Sequence, residues 1–302
     1  MAVTELVAGV DGSPESEAAL TWALHDAHLR HLPLRAVAVW QPSGEPEEVE
    51  RLAALQSVAE LRDAILREVT ATTEAVVERS GVSGLSVTAQ VDYGHPAERL
   101  IHTAGTDRLL VVGSRGHGGA AGALLGSVSQ SCAQYAHSPV IVVRGQPTSG
   151  GAGRVVVGVD GSASSLAALR FAAEAAGLRG GILHVVHAWT MPYWAYSGRM
   201  WSPDALSLNE RQAQAQTTLR ESLRRGLGDT GDLAVEHSLV EGPADTALLD
   251  AAEGADLLVV GSRGRGGWKG LLLGSVSMRC ITQSPCPVAV ARDADSAAGS
   301  TA

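Results

Sequence analysis

Two short clusters of Asp, Gly, Ser and Arg carry the chemistry that this sequence offers, and each occurs twice. The first is Val10-Asp11-Gly12-Ser13, repeated as Val159-Asp160-Gly161-Ser162. The second is Gly113-Ser114-Arg115-Gly116, nine residues, then Gly126-Ser127, repeated as Gly261-Ser262-Arg263-Gly264, nine residues, then Gly274-Ser275. A carboxylate opening a turn can accept hydrogen bonds from ribose hydroxyls or an adenine amine, or hold a metal-bound water. It can equally close an Asx turn that caps the next helix, and the residues alone leave both readings open. Glycines allow positive φ and bring backbone N–H groups close to phosphate oxygens, where a Cβ would intrude. With Ser127 and Ser275 as N-caps, their hydroxyls, the first free amides and the positive end of the helix dipole converge on a point that suits an anion. Arg115 and Arg263 supply a cation for outer phosphates or a solvated loop charge. In a chain with 35 glycines a single such loop would read as surface loop, but two copies at one spacing favour a phosphate cradle.

Other motifs are weaker. Lys269 is the only lysine and is followed by Gly270, which excludes the usual P-loop. The turn Gly9-Val10-Asp11-Gly12 lacks the dinucleotide fingerprint, so NAD and FAD fit poorly. His25, His28 and His31 recur every third residue like a metal face, but a helix end favouring histidine explains them better. His95 and His102 lie beside no recognisable nucleophile. Cys132 and Cys280 are repeat equivalents, expected as small buried thiols, whereas Cys286, beside Pro287, is open to a partly exposed, redox-responsive reading. Trp189, Tyr193, Trp194, Tyr196 and Trp201 form an aromatic run that the first half lacks, read as interdomain packing ahead of a lid or partner surface.

The elements that must position these clusters follow from the repeat. Residues 6–24 return at 155–173 and residues 109–129 return at 257–277, in the same order, so the repeated unit is a whole domain. With 302 residues, the expected organisation is a first domain at 1–145, a Gly/Ser/Pro linker at 146–153, a second domain at 154–293 and a frayed tail at 294–302. In the first copy, apolar runs at 6–10, 34–40, 85–91, 109–112 and 140–143 read as strands, and 15–29 and 49–77 as amphipathic helices. Alternation of this kind predicts an α/β fold of two doubly wound, Rossmann-like domains with parallel sheets, ligands sitting beyond the carboxyl ends of the strands. A net charge of −9 and a pI near 5.6 argue against nucleic-acid partners. An odd cysteine count and the absence of a signal-like start point to the cytoplasm, and no apolar stretch reaches the roughly 18 residues that cross a bilayer.

The pattern G-x2-G-x9-G-[ST] after a fourth strand, with an Asp after the first, resembles the ATP-binding universal stress proteins over nearly all of both copies. It looks like their tandem-domain, actinobacterial type. The resemblance implies five-stranded parallel sheets ordered 3-2-1-4-5, ATP as ligand, alone or with Mg2+, pairing through the last strand of each domain, and a homodimer. It implies that Asp11, Val39 and Val112 line the nucleoside end, while Gly113, Arg115, Gly116, Gly126, Ser127, Val128 and Ser129 surround ribose and phosphates. The matching positions are Asp160, Ala188, Val260, Gly261, Arg263, Gly264, Gly274, Ser275, Val276 and Ser277. The implied role is a nucleotide-dependent sensor in stress or dormancy with at most slow hydrolysis. An ATP-cleaving or adenylating enzyme is the alternative, though Asp11-Gly12-Ser13 does not supply the S-G-G-x-D-S type loop of such enzymes, and a nucleotide-free dimerising scaffold is the third reading.

Overall fold

The computed structural model describes residues 3–41, 58–116, 125–145, 153–191, 207–228, 231–265 and 272–293. Residues 146–152 of the linker expected at 146–153, the tail from 294, Lys269, and Tyr193, Trp194, Tyr196 and Trp201 lie outside the described residues. The chain divides into two compact units that part between Pro147 and Thr148. The first contains β1 (Glu5–Gly9), α1 (Pro14–Arg30), β2 (Leu34–Trp40), α2 (Val58–Ser80), β3 (Val87–Tyr93), α3 (Pro96–Ala104), β4 (Arg108–Gly113), α4 (Ser127–Tyr135) and β5 (Val140–Val143). The second contains β6 (Val155–Gly158), α5 (Ala163–Leu178), β7 (Ile182–Trp189), α6 (Leu208–Gly226), β8 (Ala234–Glu241), α7 (Ala244–Ala251), β9 (Leu257–Gly261), α8 (Ser275–Gln283) and β10 (Val288–Ala291).

Within the first unit the strands run β3-β2-β1-β4-β5 and within the second β8-β7-β6-β9-β10, all neighbours parallel. Both sheets therefore have the order 3-2-1-4-5, and the winding reverses between the first and fourth strands, which opens a crevice at their carboxyl ends. The central strands are apolar because helices cover both their faces: Leu6, Val7 and Ala8 of β1 and Leu109, Leu110 and Val111 of β4 are fully buried. Strand β3, at one edge of its unit's sheet, reads VTAQVDY and is only half-buried. Its seven residues are set by the seven of β2, from Leu34 opposite Val87 to Trp40 opposite Tyr93, which moves it two residues beyond the expected 85–91. Of the helix expected at 49–77, residues 49–57 lie outside the described residues. The described part runs on to Ser80 and stops before Gly81, whose φ is 68°.

The first helix of each unit starts the same way. Ser13 and Ser162 are N-caps whose hydroxyls accept from the amides of Ser16 and Ser165. Behind them, Leu20 and Leu169 occupy equivalent buried positions, and each such leucine stabilises its unit by about 2 kcal/mol. Gly226 of α6 is shaped by the same packing, since a Cβ there would overlap the Leu169 side chain. Among the described residues no helix is long and apolar enough to cross a membrane.

Candidate functional site

Each crevice holds a cavity, about 570 Å³ in the first unit and about 450 Å³ in the second. Both volumes suit a small organic ligand. The first cavity is lined by Asp11, Val39, Val112, Gly113, Arg115, Gly116, Gly126, Ser127, Val128 and Ser129 together. The second is lined by Asp160, Ala188, Val260, Gly261, Arg263, Gly264, Gly274, Ser275, Val276 and Ser277. The structure thus brings each predicted set into one wall.

The first turn is an Asx turn. Asp11 Oδ1 accepts from the Ser13 amide at 3.0 Å and the Ser13 hydroxyl at 2.6 Å, and Asp160 Oδ1 accepts from Ser162 at the same distances. Gly12 and Gly161 have φ of 81° and 79°, which a side chain would strain. The capping role does not displace the cavity role, because each carboxylate keeps a second oxygen toward the glycine loop. Asp160 Oδ2 accepts from the Arg265 amide at 2.8 Å. Burial pushes the Asp160 carboxyl up, but the donors from Ser162, Arg265 and Ser165 outweigh it and hold the group below its ordinary value.

The glycine loops differ from expectation in one respect. Gly113, Gly116 and Gly126, and their equivalents, do not take positive φ. They are needed for close approach instead: a Cβ on Gly113 would lie 2.7 Å from the Glu15 carbonyl oxygen, and one on Gly264 would lie 2.6 Å from Asp160 Oδ2. A Cβ on Gly116 would strike the Asp11 carboxylate in the same way. Gly126 is of another kind. Among the described residues, the nearest neighbours to a Cβ on Gly126 lie at 3.4 Å or more and those on Gly274 at 3.6 Å or more, ordinary contact distances that would admit a methyl group.

The N-caps of α4 and α8 are Gly126 and Gly274, one residue before the expected Ser127 and Ser275. Gly126 has φ −78° and ψ 156°, and its carbonyl accepts from the Gln130 amide at 3.0 Å, which fixes it as the boundary residue. Neither cap makes a side-chain hydrogen bond, so the amides of Ser127, Val128 and Ser129, and of Ser275, Val276 and Ser277, begin their helices without an intrahelical acceptor. The Ser129 hydroxyl donates to the Ser114 carbonyl at 3.0 Å and the Ser277 hydroxyl to the Gly261 carbonyl at 2.6 Å. These hydroxyls lock loop to helix. Gly126 and Gly274 donate back to the carbonyls of Ser114 and Ser262 at 2.8 Å, closing the junction.

Sequence reasoning missed the apolar wall. Val37 and Leu100 line the first cavity, and Val186 and Leu248 the second, beside the predicted apolar residues. Strand period supplies a signal for two of them, since residues 37 and 39 share a face, as do 186 and 188. Arg265, which lines the second cavity, was also missed.

Other expectations resolve away from the cavities. His25 and His28 lie in α1 and His31 is its left-handed C-cap, with φ 55°. Among the described residues no group of three His, Cys, Asp or Glu side chains is placed to hold a metal. Cys132 and Cys280 are fully buried, and burial pushes each thiol up to about 12. The exposed, redox-responsive reading of Cys286 is corrected: it is 6% exposed, its amide donates to the Ser284 hydroxyl at 3.3 Å, and burial raises its thiol.

The family model described as the universal stress protein family matches residues 3–144 and again 151–292. A universal stress protein of Mycobacterium tuberculosis (strain H37Rv) is 35% identical over 303 residues, spanning 95% of this chain and 94% of the relative. One from Mycolicibacterium smegmatis is 32% identical over 301 residues, spanning 95% and 96%. The crystal structure of a universal stress protein from Archaeoglobus fulgidus shares the fold, with a TM-score of 0.64, 22% identity and 97% coverage of both chains. Two matched segments in one chain, each carrying its own glycine loop and crevice, make this protein a tandem-domain member of the universal stress protein family.

Proposed function

We propose that each unit binds an adenine nucleotide, ATP in the first instance, and that occupancy rather than turnover is the output. The observation that carries this is the helix junction at Gly126 and Gly274. Three amides with no intrahelical acceptor, a positive helix end and a glycine where, among the described residues, a Cβ would meet only ordinary contacts all border the cavity. The described residues do not crowd a Cβ at those glycines, and a phosphate group is the occupant that their lack of a Cβ would admit. Val37, Val39, Val112 and Leu100 line the same cavity and offer apolar surface to a flat base, with Asp11 available to the ribose.

The same geometry supports slow chemistry at most. Among the described residues, the carboxylates nearest the first cradle are already engaged: Asp11 by Ser13, and Glu15 by Arg115 at 2.7 Å. Neither is poised as a general base on a water attacking a phosphate. Ligand-dependent ordering of the loops is then the route by which nucleotide alters partner contacts under stress.

The test is to denature freshly purified protein, identify released nucleotide by chromatography, and repeat with Gly126→Ala, Gly274→Ala and the double variant. ATP at about one per unit in the wild type, lost stepwise in the variants, is the expected outcome. Unchanged ATP in the double variant would refute the cradle, and rapid AMP or ADP formation would refute the sensor reading.

A further inference from the structure

The two cradles share a backbone but not a charge. In the first unit the second residue of α1 is Glu15, 23% exposed, and its carboxylate pairs with Arg115 at 2.7 Å. In the second unit the second residue of α5 is Ser164. Its hydroxyl accepts from the Arg263 amide at 3.3 Å and lies 3.3 Å from the Ser262 hydroxyl. A serine cannot neutralise a guanidinium, and among the described residues no carboxylate pairs with the Arg263 side chain.

A second cation sharpens the contrast. Arg265 lines the second cavity, and its guanidinium lies over Gly161, where a Cβ would strike it. Its counterpart in the first copy is His117, not an arginine, and lies outside the described residues. Arg144 and Arg292, which follow the last strand of each unit, are repeat equivalents present in both.

Resting on the nucleotide-binding reading above, we infer that the second unit selects nucleotides by phosphate number while the first does not: Arg263 and Arg265 favour a di- or triphosphate over a monophosphate, whereas Glu15 cancels Arg115. For Arg115 to serve an outer phosphate it must leave Glu15, and the released carboxylate then faces the incoming polyanion. Either way, much of the gain from each added phosphate is offset. In the second unit that penalty is absent, and each added phosphate meets a cation already in place.

The experiment is photolabelling of the full-length chain with 8-azidoadenosine, quantified by peptides from each unit, with ATP and AMP as competitors. In the second unit ATP is expected to protect at about tenfold lower concentration than AMP, the low end for one charge-assisted contact, while in the first unit the two stay within about threefold. Glu15→Gln, which keeps the side-chain shape and removes the charge, should move the first unit's ratio toward that of the second. Ser164→Glu should bring the second unit's ratio toward one. Equal ATP-to-AMP ratios in both units of the wild type, or a first-unit ratio unmoved by Glu15→Gln, would overturn the inference. The azidoadenosine signal itself reports the underlying reading: protection by ATP and AMP in both units upholds nucleotide binding even where the ratios fail. Labelling that no nucleotide protects in either unit would sink both together.

Discussion

The two units repeat each other most closely where backbone does the work and diverge where side chains do. The Asx turns have identical hydrogen-bond lengths at Asp11 and Asp160, and Gly126 and Gly274 close their junctions at the same 2.8 Å. Around this shared frame, the position of Glu15 holds Ser164 in the second copy, that of Ala38 holds His187, and that of Glu5 holds Arg154. Duplication has therefore preserved the geometry of a cradle while leaving its charge free to drift, and two sites of one shape need not hold one ligand equally.

Matched substitutions probe the shared frame first. Leu20→Ala and Leu169→Ala each remove a fully buried side chain from the helix behind a cradle, and each should cost about 3 kcal/mol by chemical denaturation. Markedly unequal losses would show that the frames are not equivalent. Next, Gly126→Ala should weaken ATP binding in the first unit, and Gly274→Ala in the second, by about 10- to 100-fold in calorimetric titration. Global stability should fall by no more than about 1 kcal/mol, the scale of an N-cap change.

These glycines also show what the sequence made legible. Asp11, Gly113, Gly116 and Gly126 stood out because their spacing occurs twice, and turn chemistry is local enough to be read along the chain. Parallel sheets and the crevice beyond their strand ends followed from the alternation of elements, whereas the strand order 3-2-1-4-5 came from the family resemblance. Val37, Leu100, Val186 and Leu248 did not stand out, because an apolar residue facing a cavity has the same sequence signature as one facing the core. The Arg115–Glu15 pair was illegible for a different reason: it joins the loop after β4 to the start of α1, a contact that exists only once β1 and β4 are neighbours. Ser127 was misplaced by one position because glycine itself serves as an N-cap, which the preference for serine concealed.

A smaller difference concerns pH. His187 sits 8% exposed with Nδ1 2.7 Å from the Val159 carbonyl, where the first unit has Ala38. Burial lowers its pKa, against the raising effects of the Val159 carbonyl and Asp160 and alongside the lowering effect of Arg265. A histidine held neutral in the fold contributes stability that is present above its ordinary value of 6.5 and is lost as pH falls through 6.5 toward the depressed one. Thermal unfolding of the second unit's signal should therefore shift downward between pH 7 and pH 5.5, and His187→Ala should flatten that dependence, although it lowers stability at pH 7. Smallest of all is the thiol response. Cys132, Cys280 and Cys286 are buried in both halves, so a thiol reagent should modify none on the timescale that labels all three in denaturant.

The central claim is that backbone amides at two equivalent loop-to-helix junctions grip the phosphates of ATP. A crystal structure at saturating ATP tests it most directly. The account predicts phosphate oxygens within about 3 Å of the amides of residues 127–129 and 275–277, with the base against Val39 and Ala188. ATP bound elsewhere with both junctions empty would contradict it.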